Sequence, residues 1–165
     1  MAKGGVATRI SPWLSVSDAT RAVEYYERAF GAVAVERLEE PPGSVMVAQL
    51  SIAGATFWVQ QDGETSPGAL GGRSPVRMIL TVEDPDTLFS RAVAAGGAEV
   101  APVREAHGWR VGRLADPFGH HWEVGRPSHS GRQREPRRRV YTHPRRREGH
   151  ASGDARVRVL SGSAP

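Results

Sequence analysis

Apolar and polar residues alternate in short runs along the first 127 positions, and twice the alternation gives way to a spacing of three and four. The first run is Ile10 to Val16, where Pro12 points to an edge strand or a strand start. Ser17-Asp18 then offers a helix cap. Ala22, Val23, Tyr26, Ala29 and Phe30 recur at helical spacing as far as Gly31, a stop signal. Val33 to Leu38 predicts a strand, Glu39 to Ser44 a Pro-Pro-Gly turn, and Val45 to Ile52 another strand. Ala53-Gly54 turns into Thr56 to Gln60. The order is β-α-β-β-β.

The same order then returns. Val76 to Val82 predicts a strand, and Glu83-Asp84-Pro85 caps a helix carrying Leu88, Phe89, Ala92, Val93 and Ala95. Gly96-Gly97 stops that helix, and strands follow over Glu99 to Val103, Trp109 to Leu114 and His121 to Val124. The halves match at an offset of 66, which pairs Val16 with Val82, Asp18 with Asp84, Gly31 with Gly97 and Ala32 with Ala98. Near the end the offset slips by one, pairing Gly54 to Val59 with Gly119 to Val124. A strand, cap, stop and terminal strand repeated in register make this an internal duplication, which fixes the architecture. Within it, Asp116-Pro117-Phe118-Gly119 forms a tight turn feeding the last strand. There Trp122 and Val124 point to the core, while His121 and Glu123 point the other way.

The paired modules, the Leu-Ser-Val-Ser-Asp and Leu-Thr-Val-Glu-Asp strand-to-helix starts, Tyr25-Tyr26 with Phe30-Gly31, and Asp116-Pro117-Phe118-Gly119-His120 with Trp122-Glu123 carry a resemblance. Residues 8–126 resemble the vicinal oxygen chelate superfamily, in its glyoxalase/bleomycin-resistance/dioxygenase group. The resemblance implies an α+β fold in which two βαβββ modules, about 8–62 and 75–126, form a curved mixed-sheet cup. It also implies a homodimer and a cup open to a small-molecule ligand. The Asp-Pro-Phe-Gly-His ending is specific to the superfamily but not to one activity.

Metal-binding members bring together four positions, one on the first and one on the last strand of each module. Counting back from Asp18 and Asp84 places two of these at Ser11 and Arg77; the others are Trp58 and Glu123. Ser11 is a poor ligand, Trp58 cannot ligate and Arg77 brings a positive charge, so the four predict no metal. Period two turns Ser11, Trp13 and Ser15, with Arg77, Ile79 and Thr81, toward the cup, and Leu14, Val16, Leu80 and Val82 toward the helices. Arg77 and Glu123 are then expected as a bidentate ion pair in the metal's place. An alternative site for nickel, zinc, manganese or iron(II) would use His107, His121 and Glu123. His120 belongs to the Gly-His turn as a structural residue. His121 faces the cup beside Glu123, where it could also serve as acid or base. Trp13, Trp58 and Trp109, with Gln49 or Gln60, give flat apolar walls suited to planar or cationic ligands. The expected ligand-binding set is therefore Trp13, Trp58, Arg77, Trp109, His121 and Glu123.

Composition narrows the classes. The chain has 165 residues and no cysteine, which excludes disulfides and thiolate catalysis. No apolar run is long enough for a membrane span or a leader, so a cytoplasmic protein is expected. The formal charge of +4 conceals a division. Residues 1–127 carry 12 basic against 15 acidic side chains, and residues 128–165 carry 10 against 3. The Arg-rich tail, 127–165, is expected to be disordered. It lacks the interleaved aromatics of a specific nucleic-acid interface. Three functions remain: a metal-independent protein sequestering an aromatic or cationic compound, a metal-dependent glyoxalase-like lyase, isomerase or dioxygenase, and a regulatory interaction module.

Overall fold

The computed structural model describes residues 8–65 and 76–128; the stretch expected to be a disordered tail lies, from residue 129 on, outside them. The first module runs β1 (Trp13–Val16), α1 (Ala19–Phe30), β2 (Val33–Glu39), β3 (Val45–Ile52) and β4 (Ala55–Gln61). The second repeats it as β5 (Arg77–Thr81), α2 (Pro85–Ala94), β6 (Ala98–Ala106), β7 (Trp109–Ala115) and β8 (His121–Pro127). Each module folds into a four-stranded mixed sheet, ordered β1-β4-β3-β2 and β5-β8-β7-β6. In each, the first strand pairs in parallel with the last, so the chain crosses the sheet through its helix.

Helix α1 forms where the spacing places it. The Asp18 side chain accepts from Arg21 N at 3.0 Å, and the Gln61 side chain of β4 accepts from Ala19 N at 2.8 Å. Two otherwise orphaned amides are thereby satisfied. Gly31 ends the helix at φ +68°, a left-handed conformation that an L side chain resists. The buried stripe is Ala22, Val23, Tyr25, Tyr26, Ala29 and Phe30. Helix α2 begins at Pro85, after Asp84 accepts from Thr87 N at 3.1 Å.

The core lies on the helix side of both sheets. Leu14, Val16, Leu50, Phe57, Val59, Leu80, Leu114, Trp122 and Val124 are buried there. Trp122 of the second module packs against Tyr26, Phe30 and Phe57 of the first, with ring centroids 4.7–5.7 Å apart. Arg91 of α2 donates from Nε to the Ala29 carbonyl at 2.9 Å, closing the C-terminal end of α1. The modules therefore share one core.

Three bounds shift by more than one residue from the alternation pattern. β1 starts only at Trp13, because Pro12 has no amide to donate and contributes its carbonyl, which accepts from Trp58 N at 2.8 Å. β6 runs on to Ala106 past the register shifts beside Ala101, irregularities that break the alternation after Val103. β8 extends through Pro127, and Ser128 N then donates to the Gly108 carbonyl at 2.8 Å.

Candidate ligand-binding site

Strand register arranges the sheet faces turned away from the helices into rows. In the first sheet one row reads Trp13, Trp58, Gln49 and Glu36, and the next reads Ser15, Gln60, Val47 and Leu38. In the second sheet the matching rows read Ile79, Glu123, Arg113 and Ala101, then Thr81, Gly125, Val111 and Arg104. Equivalent positions thus carry Trp58 and Glu123, Gln49 and Arg113, and Gln60 and Gly125. Trp13 is 53% exposed and Ile79 69%, whereas Leu14, Val16 and Leu80 between and beside them are buried. The period-two assignment of faces holds on both first strands.

The first face is an aromatic wall. Trp13 and Trp58 stack with centroids 5.7 Å apart and planes 23° apart. Trp13 Nε1 donates to Gln60 Oε1 at 2.7 Å, which fixes the outer indole. Beside it Glu36, Arg37, Leu38, Val47 and Trp58 line a shallow cavity of about 290 Å³.

The second face pairs charge with an apolar hollow. Arg77 Nη1 donates to Glu123 Oε1 at 2.7 Å. The pair is as expected, but it is joined by one hydrogen bond rather than a bidentate fork. Register explains this: Glu123 lies opposite Ile79 and Arg77 lies opposite His121, so the guanidinium reaches along a diagonal. Next to the pair, Ile79, Ala106, His107, Trp109, Val111, Glu123 and Gly125 line a cavity of about 410 Å³. Gly125 lets β8 approach β7 closely there. A Cβ there would stand 2.8 Å from the Arg110 carbonyl oxygen and 2.9 Å from Val111 Cβ.

The expected set therefore divides. Trp13 and Trp58 make the wall of the first sheet; Trp109 and Glu123 border the hollow of the second, with Arg77 on Glu123. His121 lies beside Arg77 in the register, outside the lining of that hollow. The alternative metal set does not assemble: His107 and Glu123 share the hollow, His121 does not. Among the described residues no three His, Cys, Asp or Glu side chains are grouped to hold a metal ion. At the four superfamily positions stand a hydroxyl, an indole, a guanidinium and one carboxylate already bonded to that guanidinium. This donor set does not fit a divalent cation.

Two residues outside the expected set matter. Arg113 enters the face directly opposite Glu123, and only the strand register reveals it. Asp116 is 5% exposed, and four donors meet it. Oδ1 accepts from Phe118 N and His120 N, both at 2.9 Å; Oδ2 accepts from Tyr26 OH at 2.7 Å and Trp122 Nε1 at 2.9 Å. His120 Nε2 lies 3.0 Å from the Ser15 carbonyl oxygen, so the Gly-His turn ties the second module to β1. Burial and the neighbouring Asp116 push the Tyr26 hydroxyl well above its ordinary pKa, and that of Tyr25 rises for the same two reasons. Tyr26 therefore stays a donor at any physiological pH.

Known proteins share this architecture. An uncharacterized protein of Mycobacterium bovis is 41% identical over 130 residues, covering 74% of this chain and 85% of its own. Among solved structures, TioX from Micromonospora sp. ML1 superposes with a TM-score of 0.58 at 30% identity, over 73% of this chain and 97% of TioX. The genomically encoded fosfomycin resistance protein FosX from Listeria monocytogenes gives 0.58 at 15% identity, over 75% and 96%, a likeness of fold alone. The glyoxalase-like domain family matches residues 13–125. With that match across both modules, the chain belongs to the glyoxalase-like domain family of the vicinal oxygen chelate superfamily.

Proposed function

We propose that this chain is a metal-independent small-molecule binding protein that sequesters an aromatic or cationic compound on the faces of its sheets. The observation that carries this reading is the hydrogen bond from Arg77 to Glu123, a residue that lines the hollow. The single carboxylate among the superfamily's metal positions is neutralised by the chain's own cation. What remains is a hollow with Trp109 at its rim, and a pinned indole pair on the companion sheet. Its volume of about 410 Å³ falls in the range of small-molecule sites, about 300–1,000 Å³. Preset indole faces favour planar rings and cations and cost little entropy on binding.

Two chains are proposed to form the working unit. Trp13 on β1 and Ile79 on β5 leave apolar side chains exposed on the outermost strands of the two sheets. Among the described residues no helix is long and apolar enough to cross a membrane.

Tryptophan-fluorescence titration with planar aromatic compounds, run in chelator, tests the reading. Saturable quenching that Trp58→Ala weakens several-fold is the expected result. Binding that appears only after a divalent metal is added would replace it with the metal-dependent glyoxalase or dioxygenase alternative.

A further inference from the structure

Arg113 sits partly buried on the second sheet's open face and makes no hydrogen bond or ion pair with any described residue. Its guanidinium nitrogens stay open to solvent, so all of its donors are free to meet an arriving anion. Glu123, its cross-strand neighbour, is bonded to Arg77 instead. On the other flank the register places Ala101, whose methyl leaves the guanidinium open. Arg104, opposite Val111, adds a third arginine to the face. Arg77, Arg104 and Arg113 against Glu123 leave a local excess of positive charge. The first sheet's rows hold no arginine, and Arg37, at the rim of that sheet's shallow cavity, is already paired with Glu27 of α1 at 2.8 Å.

From this arrangement we infer that the second-sheet site takes an organic acid, its oxyanion held by Arg113 with Arg77 and its apolar body lying in the hollow of Ile79, Val111 and Trp109. The guanidinium fork matches a carboxylate or a similar planar oxyanion. Polar selectivity is set where a charge would otherwise go unpaired, while the apolar walls tolerate varied bodies. Cationic ligands, if taken, belong to the indole wall of the first sheet. The inference rests on the small-molecule reading above.

Calorimetric titration with naphthoate, its neutral amide naphthamide and naphthylmethylammonium tests it on the full chain. The acid is expected to bind at least about tenfold more tightly than the amide. Arg113→Gln should bring the two together, Arg113→Lys should restore only part of the difference, and Arg21→Gln, the same charge change on exposed α1, should leave it intact. Because Arg113 contacts no described residue through hydrogen bonds or ion pairs, the glutamine variant should melt as the parent does. An amide bound as tightly as the acid, an ammonium whose binding weakens in Arg113→Gln as the acid's does, or a preference for the acid over the amide that survives Arg113→Gln, overturns the inference and leaves the small-molecule reading standing. Failure of all three probes to bind overturns both.

Discussion

Asp116 is a buried carboxylate that pairs with no cation among the described residues and is held by two amides, a phenol and an indole. Removing it strands Tyr26 OH and Trp122 Nε1 in the core, and each buried unsatisfied donor costs about 1–3 kcal/mol. Asp116→Ala should therefore lower the unfolding free energy in urea by about 3 kcal/mol or more. The Arg77–Glu123 pair behaves differently. Arg77 is half exposed, and such pairs contribute at most about 1 kcal/mol. Arg77→Ala should leave the urea midpoint nearly unchanged while altering ligand affinity, which would separate a binding role from a folding one. These residues differ in how much of their role the sequence disclosed. Counting back from the capping Asp84 locates Arg77, and period two places Glu123 on the same face. Asp116 is visible as a turn former, but its bond to Tyr26, 90 positions away, leaves no local trace. Arg113 looks like any strand arginine until β7 is registered against β8.

The helices and strands were legible because each obeys one period and is punctuated by its own cap or stop. Duplication checked every assignment twice. What alternation misses is irregularity, as at the register shifts that let β6 run beyond Val103. At this scale α1 has its own test. The folded chain holds Tyr25 and Tyr26 protonated at pH values where the unfolded chain, with tyrosines near the ordinary 10.0, begins to ionise. Above that pH the unfolded state binds fewer protons than the folded one, so stability falls as pH rises. It is fully present below the unfolded-state value. Thermal unfolding between pH 7 and 11 should show a midpoint insensitive to these groups near neutrality and declining above about pH 10. Tyr26→Phe should be less stable at neutral pH and lose a smaller increment at alkaline pH.

For the whole molecule, two like modules have diverged in what their open faces carry. The first presents stacked indoles, the second an ion pair, spare arginines and an apolar hollow. On the proposed reading, such divergence after duplication gives one fold two recognition surfaces, with Arg77 standing in for a metal on the second. Sedimentation equilibrium should give twice the chain mass of 17.8 kDa; a monomer at micromolar concentration would remove the proposed pairing of chains. The central claim, that Arg77 stands where a metal would, is tested most directly by the metal content of the purified protein. It should be measured by plasma mass spectrometry after dialysis against nickel, zinc, manganese and iron(II). The account expects no stoichiometric metal from any of the four. A full equivalent per chain, lost in Glu123→Gln, would contradict it.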